Sequence, residues 1–195
     1  MRESWNRIGV WLASHAQAAP VRPIADAGRL TAFEAELGVD LPADAREWWG
    51  LKNVRADYWI PVGFAPLALD DALETREIWL QVADEEGPAF DENGAAEPRF
   101  EPELMPFAMS PGGDGLVIDL RPDGGSHGAV FLWDHEQWGL DVPLWPSVGA
   151  MLQDLAAALD ARTPVLLGHA AHGGSKAPLV GAIDEGGYLN WHTGT

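Results

Sequence analysis

The sequence predicts an α+β fold, and three observations predict it. Apolar residues recur at helical steps of three and four near both ends of the chain. Between them lie three short apolar runs, 105–109, 116–120 and 129–133. The connectors between those runs, Pro111-Gly112-Gly113-Asp114-Gly115 and Pro122-Asp123-Gly124-Gly125-Ser126-His127-Gly128, consist of the residues that tight turns require, so an antiparallel meander is the economical arrangement. At 195 residues and 47% hydrophobic, the chain holds enough apolar side chain for one sizeable core, and the expectation is a single domain over 1–195.

Trp5, Ile8, Leu12 and His15 share one helical face, which Pro20 stops. Asp26 is placed to cap a second helix with Leu30, Phe33 and Leu37 as its stripe, and Gly38 to end it in the left-handed conformation. A third, short helix opens at Leu41-Pro42-Ala43-Asp44, where a proline loses no intrahelical hydrogen bond, and carries Trp48 and Trp49. Tyr58-Trp59-Ile60 reads as a short strand, and Phe64-Ala65-Pro66-Leu67 as unpaired extended chain, because Pro61 and Pro66 lack ladder donors. A fourth helix, capped by Asp70 or Asp71, is expected to run to about Val82 with Leu73, Trp79 and Val82 inward. Ser147 caps a last helix through Val148, Met151, Leu152, Leu155 and Leu159. A Gly-rich loop at about 168–177 precedes Leu179-Val180 and Tyr188-Leu189-Asn190-Trp191, which could form a hairpin or an edge strand.

Charge and composition exclude several functions. Thirty acidic side chains against twelve Lys and Arg give a net charge of −18, which repels phosphate backbones and anionic lipid and suits a basic partner. With no cysteine there is no disulfide framework, thiolate metal site or cysteine nucleophile. No apolar stretch approaches the roughly 18 residues of a membrane span, and the N-terminus lacks the unbroken apolar core of a signal peptide, so a cytoplasmic protein is expected.

The chemical motifs are weak. Asp114 and Asp119 do not have calcium-loop spacing, and the better reading gives Asp114 a contact in its own turn and Asp119 a strand end or buried polar contact. His169 and His172 lie three apart among glycines that break a helical turn. Ser126 is out of register for a nucleophile elbow, and His127 and Asp134-His135-Glu136 offer acid/base groups without a nucleophile at usable spacing. Neither glycine-rich connector is a phosphate cradle. No catalytic residue, metal or cofactor is expected. Of the ten tryptophans, Trp5, Trp48, Trp59 and Trp79 fall on apolar faces and suit core packing, whereas Trp138 lies between polar neighbours as a candidate interface anchor.

Several segments in fixed order resemble the SUKH superfamily, the group named for fungal cell-wall-assembly and killer-toxin-resistance regulators. They are Trp5…Ile8…Trp11-Leu12, the run Glu36-Leu37-Gly38-Val39-Asp40-Leu41-Pro42-Ala43-Asp44-Ala45-Arg46-Glu47-Trp48-Trp49, and Ile60-Pro61-Val62-Gly63-Phe64-Ala65-Pro66-Leu67. The resemblance continues in Met105-Pro106-Phe107-Ala108, Gly113-Asp114-Gly115-Leu116-Val117-Ile118-Asp119-Leu120, Gly128-Ala129-Val130, the 147–159 helix and the closing Pro178-Leu179-Val180 with Tyr188-Leu189-Asn190-Trp191. Met105 departs from the tryptophan common at that position, and the acidic segment at about 84–103 is outside the shared pattern. The resemblance implies a twisted, mostly antiparallel sheet flanked by N-terminal helices and a C-terminal helix. It also implies a non-enzymatic binder. Bacterial members are mostly immunity proteins that neutralise a cognate polymorphic toxin, often a nuclease; fungal members are regulatory scaffolds, which is the alternative reading.

In the acidic segment, Asp84, Glu85, Glu86, Asp91, Glu92, Glu97, Glu101 and Glu103 face only Arg99, and Gly87, Pro88, Asn93, Gly94 and Pro98 break regular structure, so it reads as a solvated loop. A nuclease is basic where it holds phosphate, and carboxylates presented there give steering and occlusion. The candidate partner-binding residues are therefore Asp84, Glu85, Glu86, Asp91, Glu92, Glu97 and Trp138.

Overall fold

The first apolar stripe forms helix α1 (Arg2–His15) in the computed structural model, which describes residues 1–22, 27–52, 54–61, 63–88, 90, 92–94, 96, 99–122, 126–136, 139–140, 142–165 and 179–193. Ile8 and Leu12 are buried and Trp5 packs beside them. His15, expected on that face, is exposed and stacks on Trp11 at 4.5 Å. A two-residue strand β1 (Val21–Arg22) pairs with β2 (Val54–Arg55), a ribbon too short to carry a sequence signal. Between them, α2 (Ala27–Leu37) buries Leu30 and Phe33 and ends at Gly38 with φ +67°, and α3 (Ala43–Trp49) starts behind Pro42. The expected cap Asp26 lies outside the described residues. Trp48 and Trp49 are fully buried with indole N–H groups that have no partner. Burying both rings and the edge contact of Trp48 on Phe107, 5.6 Å at 85°, offsets that cost.

Two expectations for the following stretch need correction. Only Ile60 within Tyr58-Trp59-Ile60 makes a strand contact, an isolated bridge to Phe64. Conversely, Ala65–Pro66 is a strand, β3, because it lies at the edge of the sheet, where a missing donor leaves no ladder bond unmade on the solvent side. Helix α4 (Leu69–Glu86) begins behind Ala68 with no side-chain cap, so Asp70 and Asp71 sit inside its first turn, where carboxylates favour the helix dipole. It also runs four residues past Val82. Leu69 and Ala72 are its buried residues; Leu73 and Trp79 pack against cores from partly exposed positions.

Strands β4 (Leu104–Met109), β5 (Gly115–Asp119), β6 (Val130–Asp134) and β7 (Gly139–Leu140) complete a five-stranded antiparallel sheet in the order β3-β4-β5-β6-β7. Pro106 sits inside β4 opposite Val117 of β5, clear of β3, which pairs only with Ala108 and Met109, and the register shifts between Pro106 and Ala108. That bulge is what accommodates a proline there. Helix α5 (Val148–Ala161) follows, with Ser147 Oγ accepting the Ala150 N–H at 3.2 Å as its spacing predicts. Asp44 of α3 adds a second cap, accepting the Gly149 N–H at 2.8 Å.

Both faces of the sheet are covered. Phe107, Leu116, Ile118 and Val130 join one cluster with α1, α3 and α5, and Leu132 packs against it, as the alternation predicts. The intervening residues Val117, Phe131 and Trp133 form a second cluster with Leu104, Phe100 and the α4 residues Trp79, Leu80 and Ala83. Trp79, Phe100 and Trp133 meet edge to face at 5.0 and 5.1 Å. Gly115 makes room for this trio, since a Cβ there would stand 2.4 Å from the Trp79 ring. Gly115→Ala is expected to destabilise the fold by about 1–3 kcal/mol through overpacking. Urea unfolding checks it: adding Trp79→Leu should recover part of that loss, whereas strictly additive losses would refute the clash.

The last strands, β8 (Leu179–Ile183) and β9 (Leu189–Thr193), form an antiparallel hairpin, the first of the two arrangements open from the sequence. Trp191 anchors it, donating its indole N–H to the Trp59 carbonyl at 2.8 Å. The Gly-rich loop at 168–177, with His169 and His172, lies outside the described residues.

Candidate partner-binding surface

The β4–β5 and β5–β6 connectors split the two aspartates that the sequence offered as a pair. Asp119, at the end of β5, is fully buried. It accepts the backbone N–H of Arg121 at 2.9 Å, the Arg121 side chain at 2.9 and 2.8 Å, and the Ser126 hydroxyl at 2.6 Å. Burial pushes the Asp119 carboxyl upward, but the hydrogen bonds from Arg121 and Ser126 outweigh it and hold the group below its ordinary value. In return, the Arg121 guanidinium is raised by Asp119, with Glu101 adding to it at 3.0 Å. Asp119 is thus the buried polar contact at a strand end that the sequence suggests. Ser126 serves that carboxylate.

Asp114 reaches beyond its own turn. Its Oδ1 lies 2.8 Å from His135 Nδ1, and the His135 ring sits against Gly113, where a Cβ would be 3.3 Å away. The β5–β6 register causes this: Gly115 is opposite Trp133, so the residues beyond each strand end meet. Asp114, Asp134 and His135 each offer a ligand atom within 4.8 Å of the others, so this half-exposed group has the donors for a divalent ion. The sequence held the pieces but not their juxtaposition, which depends on strand register.

The first three carboxylates of the acidic segment belong to a helix and not to a loop. Asp84, Glu85 and Glu86 are exposed on the last turn of α4, which contains no basic residue. Carboxylates at a helix C-terminus oppose the dipole, each by about 0.3–1 kcal/mol. Local helix stability therefore does not account for them. Beyond the helix, Phe90 and Ala96 form an isolated bridge around a turn bearing the exposed Glu92. The excursion is pinned at its base, where Arg99 donates to the Gly87 carbonyl at 3.1 Å, Phe100 enters the second core, and Arg76 donates to the Pro102 carbonyl at 3.0 Å. Glu101, read as loop charge, instead joins Arg121 and Asp119. Asp91, Glu97 and Trp138 lie outside the described residues. The sequence reading missed Phe90, which is 62% exposed within this carboxylate-rich excursion, an apolar ring where an interface anchor would be useful.

The meander with its glycine turns, the Pro106 bulge and the Asp44 cap over α5 all fall within a segment, residues 24–154, that matches the SMI1 / KNR4 family (SUKH-1). The chain belongs to this family. Membership makes it a domain of the immunity and regulatory type. No curated protein matches the chain significantly. Within this SUKH-1 chain, the matched segment includes the acidic excursion and both polar connectors but stops inside α5, so the β8–β9 hairpin lies beyond it. Among the described residues, no helix is long and apolar enough to cross a membrane.

Proposed function

We propose that this SUKH-1 domain is a non-enzymatic immunity protein that binds and neutralises a cognate toxin, a basic nuclease-type protein, by occupying its phosphate-binding surface. The observation that carries the reading is the exposed triplet Asp84, Glu85 and Glu86 on the last turn of α4, held against the helix dipole and followed by the Glu92 turn, in a chain of net charge −18. Charge kept at a cost to the helix calls for a role outside it, and a basic partner supplies one. Binding without turnover also fits the polar groups: the Ser126 hydroxyl is directed to Asp119, and His135 to Asp114.

Titration of the toxin encoded by the adjacent gene tests this. Residual toxin activity should fall linearly to an end point at a fixed molar ratio, as stoichiometric capture requires. Inactivation by a small fraction of an equivalent would show catalysis. No inhibition at any ratio, with capture of a house-keeping protein instead, would favour the regulatory scaffold.

A further inference from the structure

We propose that the concavity between Asp57, Tyr58 and Gly63 on one side and the β8–β9 turn on the other receives a basic side chain, arginine above all, presented by the protein partner. This rests on the reading of the chain as a binder of a basic protein and adds the place and chemistry of one contact. The cavity has a volume of about 590 Å³ and is lined by Asp57, Tyr58, Pro111, Asp184, Tyr188 and Asn190, among others. That volume suits a small ligand, or an arginine with the residues flanking it. Tyr58 and Tyr188 are the chain's only two tyrosines, and they are 49% and 44% exposed. Two half-exposed phenol rings in one concavity offer faces on which a planar guanidinium can stack, and a neighbouring carboxylate can accept its hydrogen bonds.

Both walls are held in place before anything binds. Asp57 is paired with Arg55, whose Nη1 also donates to the Gln17 carbonyl at 2.9 Å. Across the cavity, Asp184 Oδ1 accepts the Tyr188 N–H at 2.9 Å, while the Gln17 N–H donates to the Gly187 carbonyl at 2.6 Å. The Trp191 indole reaches the Trp59 carbonyl, next to Tyr58, and so ties one wall to the other. Preorganisation of this kind lowers the ordering cost of binding. Because Arg55 already compensates Asp57, the exposed Asp184 and its exposed neighbour Glu185 supply the attraction for a cation. Phosphate and carboxylate ligands would be repelled.

Tyr58 and Pro111 belong to the segment that matches the family, whereas Asp184, Tyr188 and Asn190 lie beyond it.

The test uses ¹⁵N-labelled full chain with N-acetyl-argininamide as the probe, and the glutamate analogue as control. Saturable amide shifts are expected at Tyr58, Asp184, Tyr188 and Asn190 at millimolar arginine probe, with the glutamate probe at least tenfold weaker. Tyr58→Ala/Tyr188→Ala should weaken the response at least tenfold; both rings are half exposed, and an unchanged spectrum elsewhere would verify the fold. If that double variant unfolds, Asp184→Asn, which keeps an acceptor for the Tyr188 N–H, should weaken the probe at least fivefold. Shifts spread evenly over the acidic surface, or indifferent to these variants, overturn the proposal. Toxin neutralisation that survives the double variant with unchanged affinity removes this contact and leaves the immunity reading standing. A probe that seats here while no toxin is neutralised does the opposite.

Discussion

Replacing Arg121 with alanine is expected to destabilise the fold by about 3–5 kcal/mol, because it leaves a buried carboxylate without its counter-charge. Asp119 has no solvent exposure, whereas Arg121 is one-third exposed and can turn to water if its partner is lost. The reverse change, Asp119→Asn, should therefore cost less, about 1.5–3 kcal/mol, the worth of hydrogen bonds to a charged group. The sign with pH follows from the same contacts. In the wild type, the Asp119 carboxyl is held below its unfolded value, so its contribution is complete above about pH 4 and is lost as pH falls through the folded value. In Arg121→Ala, burial is opposed only by the Ser126 hydroxyl and the backbone N–H of residue 121, so the carboxyl rises relative to the wild type, and the resulting penalty fades as acid protonates it. Both effects narrow the gap between wild type and variant on acidification. Urea midpoints at pH 7 and at pH 4 and below would show it; a gap that stays constant would mean that ion pairing is not its source.

That buried pair also shows where the sequence stops being informative. The end of β5 is legible because Leu116 to Leu120 alternate and Pro122 follows, so Asp119 could be placed at a strand end. Its partners Arg121 and Ser126 are local, and local geometry is what spacing encodes. Helix α5 was legible for the same reason, from Ser147 onward. Asp114 and His135 were not, since they meet only once Gly115 is set opposite Trp133, and a shift of one residue would separate them. The tyrosine concavity joins residues some 130 positions apart through the Trp191 anchor and has no local signal at all. Two of the errors of local reading show their physical causes most directly. Composition marked 84–86 as loop, but a helix already nucleated by the Leu69 and Ala72 contacts propagates through three acidic residues at small cost per residue. Proline marked Ala65–Pro66 as unpaired, and an edge position removed the objection.

Trp79 links the scaffold to the candidate surface. It lies on α4 about one and a half turns before Asp84, and its ring is fixed by Gly115, by an edge contact to Phe100 and by a tilted contact to Trp133. Phe100 closes the excursion that carries Glu92, and Arg99 beside it ties back to Gly87. The second core therefore sets both ends of the acidic excursion. The sheet and the aromatic trio thus anchor the helix on whose last turn Asp84, Glu85 and Glu86 stand.

Neutralising that surface with Asp84→Asn, Glu85→Gln, Glu86→Gln and Glu92→Gln is expected to slow association with the toxin by roughly one to two orders of magnitude at low salt, while dissociation changes little. All four side chains are exposed, so they act through long-range attraction. At physiological ionic strength the field is screened over about 8–10 Å, and the difference between wild type and variant should shrink accordingly. Stability supplies an internal control. Removing three carboxylates from the C-terminal turn of α4 relieves their opposition to the dipole, so the variant should be as stable as the wild type or slightly more so. Tyr58→Ala/Tyr188→Ala should show the opposite pattern, faster dissociation with little dependence on salt, because its contacts form only after docking. Stopped-flow association at two salt concentrations, with dissociation by competition, separates the two. A neutralised variant that associates as fast as the wild type at low salt would remove the acidic turn from recognition, whatever the fate of the tyrosine site.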